Sequence, residues 1–132
     1  MLHPNQFEIN EAWIAFRLND EPLHTEQDGS FNCICLMDAA SCFILGNAMI
    51  PADQAEPSHL EARRLLTTGW AHKKRMPKTL FVPTGQFQTD LSAEAKRKGI
   101  DVVSVQEDQL IVFIGEARQG FREHVQGRNS EA

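Results

Sequence analysis

The stretch that decides the fold is LMDAASCFILGNA, residues 36–48. Two apolar runs in it are separated by only four small or polar residues, DAAS at 38–41. An interruption this short predicts a tight antiparallel β-hairpin. Its arms are predicted over 31–37 and 42–50, and nearly every residue in them is apolar, which is typical of strands covered on both faces.

A further strand is predicted before the hairpin, over residues 11–18. The residues at 12, 14, 16 and 18 are apolar and alternate with a second set that ends at Arg17. This period of two is the pattern of a strand. Residues 19–30 are polar and contain Pro22 and the pair Asp28-Gly29, so the chain is predicted to reverse there.

The second half of the chain alternates helices with strands. Ser58 and Glu61 have the S-x-x-E spacing of a capping box, which predicts a helix that begins at Ser58. This helix is expected to end before Pro77, and Gly69 is expected to be a weak point inside it. The later elements are a strand over 78–82, a helix over 89–98 capped by Gly99, and a strand over 101–105.

The last apolar segment, 109–114, could form a strand, but its apolar residues continue at helical spacing as far as Val125. We therefore predict a helix over 107–126, followed by a tail over 128–132. The element order is then β-β-β-α-β-α-β-α. Such an order predicts an α/β fold with a mixed five-stranded sheet, in which the first three strands are antiparallel and helices lie on the faces.

The composition is that of a globular protein. The chain has 132 residues, of which 42% are hydrophobic and 23% charged, and this predicts one domain over 1–132 with an ordered core over about 8–126. Its three cysteines cannot all pair with one another, so free thiols in the reducing cytoplasm are expected. No apolar run approaches the roughly 18 residues that cross a membrane, so no membrane association is expected.

The charge bears on possible partners. A net charge of −5 argues against nucleic-acid binding, because contacts to the phosphate backbone need a basic face. Basic clusters occur at 73–75 and 96–98, where each is expected to end a helix and to complement the negative end of its dipole. Another protein or a second copy of the chain is the partner expected.

The hairpin also carries a particular pattern, in which an apolar strand ends in Asp38, a turn containing Ser41 follows, and the next strand contains Gly46. Further on, LFVPTGQF at 80–87 leads into a helix that is followed by a Gly-Ile pair. These features resemble the RNase H-like cores of retroviral-type integrases and transposases, in which the later strand leads into Asp-x-Gly. The resemblance covers about residues 13–105 and implies an RNase H-like fold.

Membership of this family would imply carboxylates that hold two divalent metal ions, but this sequence lacks most of those acids at the matching positions. The first belongs on the first strand, where this chain has IAFR at 14–17. The second belongs two residues before Gly85, where this chain has Pro83; only the third, on the last helix, is matched by Glu116. The resemblance with these departures implies a non-catalytic binding or regulatory domain, with no catalytic residues, metal or cofactor.

Two alternatives stay open. One is a phosphodiester enzyme with relocated acids, which requires that three carboxylates converge from among Asp20, Asp38, Asp90 and Glu116. The other is a small-ligand domain that binds at Thr84 and Gly85, because they follow a strand and precede a helix, where α/β proteins often bind ligands.

Three further patterns are assigned to structure. Asp38 is expected to close its own turn through Asx-type hydrogen bonds. His59 and Glu61 have the His-x-Glu spacing of zinc deaminases, but no cysteine follows Cys42, so capping is the role expected. The three cysteines are expected in the apolar core: Cys33, Cys35 and Cys42.

Overall fold

The computed structural model describes residues 1–27 and 29–130, with side chains described as far as Val125. In chain order the strands and helices are β1 (Ala12–Arg17), β2 (Leu23–Thr25), β3 (Gly29–Asp38), β4 (Ile44–Pro51), α1 (His59–Lys73), β5 (Thr79–Pro83), α2 (Asp90–Arg97), β6 (Asp101–Val105) and α3 (Ile111–Ser130). Short 3-10 turns, at Pro4–Gln6 and Glu107–Leu110, precede β1 and α3. The predicted hairpin, three helices and alternating strands are confirmed.

Several boundaries differ from the prediction, and the second hairpin arm, β4, begins at Ile44 rather than at residue 42 because residues 39–43 connect the two arms. The short β2 lies inside the segment predicted as a reversal, where three residues leave too little pattern to indicate a strand. The helix α3 is assigned through Ser130, beyond its predicted end at residue 126. Residues 131–132 of the predicted tail lie outside the described residues.

The sheet is mixed, as predicted. The strand β1 pairs antiparallel with β3 and parallel with β5, and β5 pairs parallel with β6. The hairpin partner β4 pairs with the other side of β3, which gives the order β4-β3-β1-β5-β6. The short β2 pairs with the start of β3, where Phe31 lies between Leu23 and Pro51 of β4, so β2 is on the same side of β3 as β1.

The helix α1 begins as its capping box predicts. The Ser58 hydroxyl accepts from the Glu61 backbone N–H at 3.2 Å, and the Glu61 carboxylate accepts from the Ser58 N–H at 2.8 Å. Gly69, expected to be a weak point, is instead a site of close packing, because a Cβ there would lie 2.9 Å from Trp13 Cη2 and 3.0 Å from Leu36. The missing side chain lets α1 lie directly on the sheet.

Apolar residues cover both faces of the sheet. Alternate residues of β1 divide between them, so that Trp13 packs under α1 and α2 while Ile14 and Phe16 pack under α3. The ambiguous segment 109–114 is helical from Ile111, because Leu110, Phe113 and Ile114 are then buried together against β1 and β3.

The strand β4 is less covered than predicted. Leu45 and Ile50 are buried against α1, whereas Met49 is 48% exposed and Asn47 is also exposed. The apolar run predicted a strand covered on both faces, and that prediction is wrong for β4, since this strand lies at the end of the sheet order and packs with α1 on one face.

Candidate functional site

The turn of the hairpin is closed by Asp38, as predicted. One carboxylate oxygen accepts from the Ser41 backbone N–H at 2.9 Å and from the Ser41 hydroxyl at 2.7 Å. The other accepts from the Asn10 N–H at 2.8 Å. Asn10 in turn accepts from the Trp13 indole N–H at 2.9 Å. Asp38 is 4% exposed, and these bonds join the turn to the start of β1.

The strand position at which the resemblance requires the first acid is filled by apolar packing. Ile14 and Phe16 are fully buried and share a cluster with Phe113 of α3. Ile14 pairs with Phe81 of β5. Two residues further along each strand, β1 carries Phe16 and β5 ends at Pro83. None of these side chains has an oxygen that could bind a hard cation.

Of the four acids considered for a relocated site, Asp38 and Glu116 both lie near Cys42, but no third acid joins them among the described residues. Asp38 lies opposite Trp13 near the start of β1, whereas Asp20 follows its end and contacts Arg122 at 2.5 Å. Asp90 begins α2, and Glu116 is an exposed residue of α3. Within residues 1–27 and 29–130, no group of three or more His, Cys, Asp or Glu could hold a metal ion.

The cysteines lie in the apolar cluster under α3. Cys33 and Cys35 are buried and Cys42 is partly buried, and all three are free thiols, as predicted. Burial raises the pKa of Cys42, and the neighbouring carboxylates Glu116 and Asp38 raise it further. A hydrogen bond with Cys33, together with burial, raises the pKa of the Cys35 thiol. Cys35 and Cys42 are therefore held in the unreactive thiol form.

His59 and Glu61 serve structure rather than metal chemistry. Glu61 completes the cap of α1, and His59 Nδ1 lies 3.1 Å from the carboxylate of Glu94 on α2. Glu94 is 0% exposed, and its carboxylate is also 3.5 Å from Arg63 and 3.7 Å from Arg97. Burial opposes ionisation, but Arg63, Arg97 and His59 together hold the pKa of Glu94 below its ordinary value. This cluster joins α1 to α2.

The predicted ligand loop, Thr84 and Gly85, is exposed at the end of β5. Gly85 has a φ of +81°, which favours glycine. The start of α2 beyond this loop is already occupied, because the Glu56 carboxylate accepts from the N–H groups of Thr89 at 3.1 Å and Leu91 at 2.9 Å. The chain's own acid thus fills the anion position that the sequence indicated.

A cleft of about 390 Å³ lies beside that loop, where β1 and β5 end. It is lined by Arg17, Asn32, Ile34, Ile50, Ala52, Gln54, Ala55, Gln86, Phe87, Glu107 and Arg118. Neither Thr84 nor Gly85 is among the lining residues, but they directly precede Gln86 and Phe87. Arg17 could not be predicted as a cleft residue from local patterns, because its neighbours there come from distant segments.

Comparisons with known proteins address the fold. No family model and no curated protein matches the chain. Among solved structures, the catalytic core domain of BIV integrase matches with a TM-score of 0.58 at 11% identity, over 93% of this chain and 74% of that one. A chain of the simian T-cell lymphotropic virus intasome in complex with PP2A regulatory subunit B56 gamma matches with a TM-score of 0.53 at 12% identity, over 89% of this chain and 37% of that one.

These matches show that the chain has an RNase H-like fold of the kind found in retroviral integrase catalytic cores. The fold predicted from the hairpin and its following segments is confirmed. Every helix in the described residues is too short or too polar to cross a membrane.

Proposed function

We propose that this chain is a non-catalytic RNase H-like domain that acts by binding. The observation that carries the proposal is the packing of Ile14, Phe16 and Phe113 at the place where the fold's enzymes need an acid on β1. A two-metal site depends on carboxylates that share the ions, and one matching acid, Glu116, cannot replace the set.

The packing at this position has its own value to the protein. Phe16 is 0% exposed, and burial of a phenylalanine side chain contributes about 1.5–3 kcal/mol to stability. Phe7 extends the cluster, since its ring centroid lies 5.7 Å from that of Phe81 and 6.5 Å from that of Phe113. The residues that would build a metal site are here used to build the core.

A nuclease assay tests the proposal. Purified protein is incubated with Mg²⁺ or Mn²⁺ and single-stranded, duplex or branched DNA, and no cleavage above the buffer rate is expected. Cleavage that Glu116→Gln abolishes would overturn the proposal. Glu123→Gln is the matched control, because Glu123 is another exposed glutamate of α3. Cleavage that both variants retain would overturn the proposal if it follows the protein through a further purification step, and would indicate a contaminating nuclease if it does not.

Binding of a small ligand is the mode that the cleft favours. Its volume falls within the roughly 300–1,000 Å³ of small-molecule sites, and it lies at the carboxyl ends of parallel strands, where α/β folds commonly bind ligands. Thr84 and Gly85 are proposed to shape one side of it by positioning Gln86 and Phe87. A protein partner or a second copy of the chain is a further candidate, because β4 leaves Met49 exposed on an edge strand.

A further inference from the structure

We infer that the cleft beside β1 binds a small organic anion, whose carboxylate or phosphate group pairs with Arg17. This inference rests on the proposed binding function and adds to it the class of ligand. The cleft has a size suited to a small molecule, and Arg17 lies on its wall.

Arg17 has unused donors. Within the described part of the chain, its Nε is buried without a hydrogen-bond partner, and Nη2 donates to the backbone oxygen of Asp20 at 3.2 Å and to no other group. No described carboxylate lies within ion-pair distance of Arg17. The buried Nε is closed to solvent, so a bound anion would pair with the terminal nitrogens of the guanidinium through charge-assisted hydrogen bonds.

The second arginine of the cleft is committed elsewhere. Arg118 donates to the Arg17 backbone oxygen from Nε at 3.0 Å and from Nη2 at 2.8 Å, and Nη2 also contacts the Glu107 carboxylate at 2.9 Å. Glu107 and Arg118 therefore neutralise each other at the rim. Arg17 is left as the unpaired charge of the lining, so the cleft is locally positive in a chain whose net charge is −5.

The remaining lining indicates what accompanies the anionic group. Most of the surface that the cleft offers to a ligand is polar, and the nearly buried side chains of Ile34, Ile50 and Phe87 contribute only a small apolar patch. The side-chain NH₂ groups of Asn32 and Gln86 have no acceptor among the described residues and can donate to the ligand. The ligand class is thus an anionic head group on a compact, mainly polar body with a small apolar part.

Binding of four probes to the full chain tests this inference. Benzoate and phenyl phosphate carry a ring with an anionic group, benzylamine carries the same ring with a cation, and inorganic phosphate has no ring. Calorimetric titration should show benzoate or phenyl phosphate binding at least about tenfold more tightly than benzylamine. The ranking of benzoate and phenyl phosphate identifies which anionic group is preferred, and inorganic phosphate should bind more weakly than phenyl phosphate.

Variants locate the site. Arg17→Gln should weaken the better anionic probe by about tenfold or more, whereas Arg75→Gln, a change of an exposed arginine outside the cleft, should leave its affinity unchanged. Ala55→Trp, at an exposed position of the lining, should abolish binding by filling the cleft without a change of charge. It also tests the site if Arg17→Gln does not fold.

Three results would overturn the inference: absence of anion binding, equal affinity for benzoate, phenyl phosphate and benzylamine, or anion binding that neither Arg17→Gln nor Ala55→Trp reduces. The nuclease assay is independent of both. Absence of anion binding together with absence of cleavage would refute the inference while leaving the proposed non-catalytic function intact.

Discussion

The two faces of β1 differ although their residues alternate along one short strand. On the α3 face, Ile14 and Phe16 are sealed under Phe113. On the opposite face, the strand ends in Arg17, which lines an open cleft and has a buried donor without a partner among the described residues. The face on which catalytic acids were expected is therefore packed as core, whereas the face on which no chemistry was expected carries a guanidinium without a described ion-pair partner.

The largest effect on stability is expected from an acid placed on the buried α3 face of β1. Phe16→Asp should lower the free energy of unfolding by at least about 4 kcal/mol, because it removes a buried ring and buries a carboxylate without a partner. Urea unfolding measures this loss. Phe43→Asp, at a position that is 54% exposed, is the control and should cost far less. Equal losses of unfolding free energy in the two variants would show that Phe16 is no more important to the core than the exposed Phe43.

A smaller loss is expected where α1 meets the Trp13 side of β1. Gly69→Ala should destabilise the protein by about 1–3 kcal/mol, since the new Cβ would lie 2.9 Å from the indole ring. Gly120→Ala in α3 meets open space and should stabilise it by up to about 1 kcal/mol through helix propensity. Thermal unfolding should therefore move in opposite directions in the two variants, and a rise in Tm for both would contradict the close packing.

The Glu94 cluster predicts a dependence on pH. Because the folded-state pKa of Glu94 lies below its ordinary value of 4.5, ionised Glu94 stabilises the fold above that pH, and this contribution is lost as the pH falls below it. Glu94→Gln should be less stable than wild type at pH 7, and the difference should shrink toward pH 3. Urea midpoints across this range measure it. A difference that stays constant with pH would remove the role of the charge.

The smallest stability effect is expected in the open face. Arg17→Gln should change the free energy of unfolding by less than about 1 kcal/mol, because the guanidinium makes one hydrogen bond, at 3.2 Å, and no ion pair with a described residue. Chemical unfolding of this variant beside Phe16→Asp compares the free energies of unfolding at two adjacent positions. A loss above about 3 kcal/mol would show that Arg17 belongs to the core.

Much of the fold could be predicted because its signals are local. The four-residue turn at 38–41 and the Ser58 capping box each specify a structure within a few residues, and both are confirmed. The open face of β4 could not be predicted in this way, since an apolar run does not reveal that its strand lies at the edge of a sheet. The packing role of Gly69 was also not predicted, because it depends on Trp13, which lies in another element.

The cleft was beyond the reach of local patterns. Arg17 and Arg118 are 101 residues apart in sequence, and Asn32 and Gln86 come from two further segments. The strand-to-helix signal at Thr84 and Gly85 pointed to the end of the sheet where the proposed cleft lies, but the helix start beyond it is occupied by Glu56. Only the folded chain shows which polar groups are free.

Titration with Mn²⁺ shows whether the chain has a two-metal site, because electron paramagnetic resonance distinguishes free from bound ions without any substrate. We predict that Mn²⁺ remains free when it is titrated with the wild-type chain, since apolar packing at Ile14 and Phe16 leaves Glu116 without partner acids. Two tightly bound ions per chain, lost in Glu116→Gln and retained in Glu123→Gln, would show that the chain has a two-metal site and would refute the non-catalytic function.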